Sequence, residues 1–78
     1  MRVRKKYVLL IFKTTTDAMA MEAFSRENSL PGRLIPVPQE ISASCGMAWR
    51  IAFEDYSIYE SCRADWEQFA EQIREYIM

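Results

Sequence analysis

The chain predicts an α+β fold: a small ferredoxin-like β-α-β-β-α sandwich, with helices on one face of a three-stranded antiparallel-type sheet. Three observations predict it. The continuous apolar run Tyr7-Val8-Leu9-Leu10-Ile11-Phe12 fits a central strand covered on its faces. From Met47 to Phe53 the residues alternate, with Met47, Trp49, Ile51 and Phe53 on one face and Ala48, Arg50 and Ala52 on the other. Two further stretches carry apolar residues at three- and four-residue steps, the mark of amphipathic helices. With 78 residues there is room for one domain, 1–78. A domain of this size buries only about 60–65% of the surface its unfolded chain exposes, so its stability margin is thin. Hydrophobic residues make up 50% of the chain, which excludes a disordered one.

Taken in order, Lys5 and Lys6 mark the solvated start of the first strand. Lys13-Thr14-Thr15-Thr16 turns the chain, and Thr15 or Thr16 is expected to cap a helix with Asp17 in its first turn. That helix runs to about Glu27 and buries Ala18, Met21 and Phe24. Asn28-Ser29-Leu30-Pro31-Gly32 ends it, with Asn28 as the left-handed cap. Arg33-Leu34-Ile35 forms a short strand, which Pro36 and Pro38 confine to a sheet edge because they donate no ladder hydrogen bond. Glu40 to Gly46 is a loop, and the alternating strand follows it. From Glu54 onward Tyr59, Cys62, Trp66, Phe69, Ile73 and Tyr76 or Ile77 lie on one helical stripe. The pattern predicts helix to the end of the chain, continuous or jointed near 63–65, where Asp65-Trp66-Glu67-Gln68 resembles a capping box. No final strand is expected.

The net charge is −1, so nothing draws the whole chain to nucleic acid or to a membrane. The charge is lopsided, however: residues 1–39 carry seven Lys/Arg against three Asp/Glu, and residues 40–78 carry three against eight. Such a dipolar chain can steer a protein partner. There is no histidine, so Ser-His-Asp and Cys-His catalysis within the chain are excluded, and two cysteines cannot fill a tetrahedral zinc site. No metal and no cofactor is expected, and conventional enzyme catalysis is disfavoured. The chain lacks a secretory signal and an apolar run long enough to cross a bilayer, which points to a cytoplasmic protein with free thiols.

The loop Glu40-Ile41-Ser42-Ala43-Ser44-Cys45-Gly46 holds the chemistry worth weighing. Together with the opening strand Tyr7 to Phe12, Thr16-Asp17-Ala18 and Arg33-Leu34-Ile35-Pro36-Val37-Pro38, it resembles the DUF3343 family of selenium/sulfur carrier-like domains. The resemblance runs from about Tyr7 to about Tyr56. It implies that Cys45 holds sulfur or selenium as a persulfide or perselenide, received from and delivered to a partner enzyme. Family members also place a last strand after the second helix, which the acidic C-terminal pattern of this chain does not predict.

A carrier thiol must be reachable and partly ionised, and positive charge or backbone N–H donors favour the thiolate. Gly46 lets the backbone approach closely, Ser42 and Ser44 offer hydroxyls, and Arg33 and Arg50 lie on the strands that enter and leave the loop. Glu40 would oppose ionisation if it pointed at the sulfur. The alternative is a protein-interaction module in which Cys45 is a structural residue sharing parity with Met47 and Trp49. Cys62 reads as core, or as a resolving thiol for Cys45. An open sheet edge leaves room for a homodimer.

Overall fold

The computed structural model describes residues 4–41 and 45–78. Strand β1 (Lys6–Ile11) is followed by helix α1 (Thr15–Glu27), β2 (Arg33–Pro36) and β3 (Met47–Ala52). A 3-10 turn (Phe53–Asp55), the short helices α2 (Tyr56–Glu60) and α3 (Arg63–Trp66), a second 3-10 turn (Glu67–Phe69) and β4 (Gln72–Ile77) complete the chain. The sheet order is β2-β3-β1-β4, and all three neighbouring pairs run antiparallel.

β1 is central because its residues are apolar on both parities. Val8 and Leu10 face the helical layer with Trp49, Ile51, Ala18, Met21, Tyr59 and Trp66. Leu9 and Ile11 face the opposite side with Ala48 and Ile41. Val8 is 2% exposed, and Leu9, Leu10 and Ile11 are fully buried, so both faces of the sheet carry a core.

The fourth strand corrects the sequence reading, which expected three strands and helix to the end. The helical stripe holds through Tyr59, Cys62, Trp66 and Phe69, all of which belong to the helix-side core or pack on it. It breaks at Ser61–Cys62, slightly before the expected joint, and again at Ala70, which is extended (φ −93°, ψ 124°). Ile73, Glu75 and Ile77 alternate with Arg74 and Tyr76, so the same residues fit a strand as well as a helix. The choice between them is non-local. Without β4, one edge of β1 would leave a row of backbone groups unpaired inside an otherwise buried strand.

The ends of α1 also differ in detail from expectation. Thr14, one residue earlier than predicted, is the N-cap, and its Oγ1 accepts the Asp17 N–H at 3.1 Å. At the C-terminus the left-handed residue is Ser29 (φ 53°), not Asn28. Leu30 N–H bonds Ser25 O at 2.8 Å and Ser29 N–H bonds Arg26 O at 3.2 Å, the two bonds of a Schellman motif. Asn28 instead sends its side-chain amide to Phe24 O at 2.8 Å. A residue with a Cβ is strained at this φ, by about 1 kcal/mol. Ser29→Gly is therefore expected to raise the thermal midpoint by a few degrees, partly offset by the greater freedom of glycine in the unfolded chain. An unchanged or lower midpoint would show that the strain relieved at this position does not exceed the entropy that glycine adds to the unfolded chain.

Candidate functional site

The segment from Val37 to Gly46 leaves β2 at Pro36 and returns to β3 at Met47. Val37 N–H donates to Gly46 O at 2.9 Å, which ties the two ends of the loop together. Ile41 N–H donates to Pro38 O at 3.0 Å and closes a turn. Ile41 is only 7% exposed and packs on Leu9, Ile11 and Ala48. The first half of the loop is thus a strap over the sheet face opposite the described helices. Pro36 and Pro38 aim it there by holding the exit of β2 extended.

The strap is fastened at its far end. Tyr76 on β4 donates its hydroxyl to Glu40 Oε1. This bond holds the Glu40 carboxyl below its usual value of 4.5, and it pushes the Tyr76 hydroxyl up. Glu40 is therefore spent on the opposite face from the helix-side core. Because its folded value is depressed, the bond is fully present above the ordinary carboxylate range and is lost as pH falls through the lower folded value. The Ile41 methyl resonances are expected to keep their folded positions through pH 4.5 and to shift only in stronger acid. In Tyr76→Phe the shift should move up toward the ordinary carboxylate range; an identical titration in the two proteins would dissociate Tyr76 from the strap. Sequence reasoning missed this pair because the segment holding Tyr76 read as helix.

Cys45 lies on the other side. It packs at the margin of the helix-side core, as Met47 does, and is half-buried. Its sulfur accepts the Met47 N–H at 3.4 Å and lies 3.7 Å from Met47 O. The first contact uses a sulfur lone pair and suits a thiolate; the second can form only while the thiol keeps its proton. Gly46 has φ +77°, the left-handed conformation that favours glycine, and a Cβ there would meet nothing within 4 Å. Glycine is needed here for the backbone and not for space. β1 leaves the sheet at Ile11, whose partner is Ala48, so Cys45 sits at the same sheet end as the first turn of α1.

Not every residue singled out in the sequence comes to this thiol. Ser42 and Ser44 lie outside the described residues. Arg33 and Arg50 are cross-strand partners on the strap side of the sheet, on the parity of Ile35 and Ala48. The structure therefore places the sheet between them and the core margin where Cys45 packs. Arg50 stacks on the Tyr7 ring at 4.7 Å. Cys62 is a free, half-buried thiol at the start of α3, and its Sγ lies 3.6 Å from Ile58 O. No group of three or more His, Cys, Asp or Glu side chains among the described residues is placed to hold a metal. No helix among the described residues is long and apolar enough to cross a membrane.

An open cleft of about 660 Å³ runs beside the strap, lined by Arg4, Ile35, Val37, Glu40, Tyr76 and Ile77 among others. Cys45 does not line it, so the concavity and the thiol are separate features. At Cys45 the structure offers a small, partly open sulfur site held by one backbone donor.

In comparison with known families, the model described as "Putative Se/S carrier protein-like" matches residues 6–66, from β1 through α3. Comparisons with curated proteins and with solved structures return no match.

Proposed function

We propose, from the premise that this chain belongs to the Se/S carrier protein-like family, that it carries sulfur or selenium on Cys45 and hands it to a partner protein. On this reading the fold is a ferredoxin-like carrier scaffold. The observation that carries the proposal is the placement of Cys45: half-buried, beside a left-handed glycine, with its sulfur accepting a backbone N–H. Burial on one side limits over-oxidation, and exposure on the other admits a partner's sulfur.

Loading is a thiol exchange. The Cys45 thiolate attacks the outer sulfur of a persulfide on the donor. The donor's S–S bond breaks, a new S–S bond forms on Cys45, and the donor cysteine leaves as a thiolate. The outer sulfur keeps its oxidation state, so no further oxidant is required. Delivery reverses the roles: an acceptor thiolate takes the outer atom and Cys45 leaves as the thiolate. The Met47 N–H then faces the sulfur that regains the negative charge. With selenium as the outer atom the exchange has the same balance.

Incubation with a persulfide-generating cysteine desulfurase, followed by intact mass and peptide mapping, tests this. Wild type and Cys62→Ser should each gain one sulfur on Cys45, removable by a reductant, and Cys45→Ser should gain none there. Equal loading of Cys45→Ser, or no loading of wild type, would overturn the carrier role. The protein-interaction reading, with Cys45 structural, would then be preferred, and it expects Cys45→Ser to keep its partner binding.

A further inference from the structure

The two edges of the sheet are unlike. β2 is four residues long and ends at Pro36, with Pro38 close behind, so it offers little to another strand. β4 is six residues long, contains no proline, and has no strand on its outer side among the described residues. Lys5 and Met78 exchange N–H···O bonds at 3.0 Å in both directions, which makes them a closely spaced antiparallel pair. By the two-residue period, Tyr76, Arg74 and Gln72 also direct their backbone groups to β1, with Tyr7, Leu9 and Ile11 as partners. Ile73, Glu75 and Ile77 therefore direct theirs to the open edge.

The helical layer also leaves the near side of β4 uncovered. Ile73 is 37% exposed and Ile77 58%, on the parity of Leu10 and Val8. Phe53, beyond the end of β3, is 44% exposed beneath the Lys6 ammonium.

We propose that this edge pairs with the same edge of a second copy of the chain, β4 antiparallel to β4, about a two-fold axis at Glu75. What favours a second copy over an unrelated strand is self-complementarity. In this register Ile73 faces Ile77 of the other copy, Glu75 faces its own equivalent, and Ile77 faces Ile73. All three edge-directed residues of each chain are used, and the two strands overlap from Ile73 to Ile77. Two apolar pairs form on the helical side. On the strap side Arg74 falls opposite Tyr76, a cation–aromatic pair. The unfavourable Glu75 pair is offset by Lys6, which already holds each Glu75 at 2.8 Å. A shift of the axis to Arg74 sets two arginines face to face and puts Ile73 opposite Glu75, so the pattern selects one register. The result is a continuous eight-stranded sheet with a C2 interface.

Sedimentation equilibrium on the full chain tests the proposal. At concentrations on the order of 100 µM the expected mass is twice the 9.2 kDa of one chain. Glu75→Pro removes an N–H that faces the open edge and none that faces β1. Ile77→Glu puts a charge opposite Ile73 of the other copy, while inside its own chain it gains Lys6, its register partner, as a neighbour. Each variant should stay folded by circular dichroism and raise the dimer dissociation constant at least about tenfold. A monomer for wild type at that concentration overturns the proposal. So does a dissociation constant that is unchanged in folded Ile77→Glu, because the interface would then lie elsewhere. These outcomes are independent of whether Cys45 loads sulfur.

Discussion

Tyr59→Phe is expected to destabilise the protein by about 3 kcal/mol, which for a domain of this size lowers the thermal midpoint by about 12–24 °C. The phenol is fully buried, and its hydroxyl joins four parts of the chain. It accepts the Trp49 Nε1–H of β3 at 2.9 Å and donates to Pro31 O at 2.7 Å. The Ser25 hydroxyl of α1 lies 3.2 Å away. Phenylalanine keeps the ring volume but leaves a buried indole N–H and a part-buried carbonyl without their partner. Each orphan costs about 1–3 kcal/mol. Ring contacts with Trp66, and the Trp66 Nε1–H bond to Tyr59 O at 2.8 Å, are untouched, so the effect reads the hydroxyl alone. The same burial pushes the Tyr59 hydroxyl above its usual 10.0. A raised value means stability that is complete below that pH and is lost as pH rises through the higher folded value. Part of the alkaline limb should therefore disappear in Tyr59→Phe; Tyr56 and Tyr76, also raised, retain the remainder. A loss below about 1 kcal/mol in urea unfolding would mean that the buried partners find other bonds.

Gly32→Ala is expected to cost about 2 kcal/mol by overpacking. Gly32 itself is exposed, but a Cβ there would lie 2.6 Å from Cε2 and 2.8 Å from Cζ2 of the Trp49 indole. The indole cannot easily move away. Trp49 is 5% exposed, sits in register between Leu34 and Leu10, and is bonded to Tyr59. If the indole swings, the Nε1–H bond breaks; if the turn at 31–32 retreats, Pro31 O leaves the Tyr59 hydroxyl. Both routes damage one network, so Gly32→Ala and Tyr59→Phe should not add. The double variant is expected to cost less than the two single costs combined. Strict additivity would show that the clash is relieved without disturbing Tyr59.

The carrier candidate was readable only in part. Cys45-Gly46 stood out as chemistry, and the left-handed Gly46 agrees with its reading. The supporting cations did not follow, because strand parity sends Arg33 and Arg50 to the strap side. A linear sequence shows that they flank the loop, but which side of the sheet Cys45 reaches depends on a residue outside the strand. Glu40 and Tyr76, separated by 36 positions, could be joined only after β4 existed.

By itself the amino-acid order determined the local matters: the all-apolar β1, the alternating β3, the buried positions Ala18 and Met21 of α1, the proline-limited edge of β2 and the family to which the chain belongs. These depend on side-chain periodicity and backbone preference within a few residues. Tertiary structure decided the state of Gln72–Ile77 and the path of the strap. Ile73, Tyr76 and Ile77 satisfy a helix and a strand alike, with no glycine or proline to choose between them. The free edge of a central, doubly buried β1 settles the choice, since only a strand can complete its hydrogen bonds.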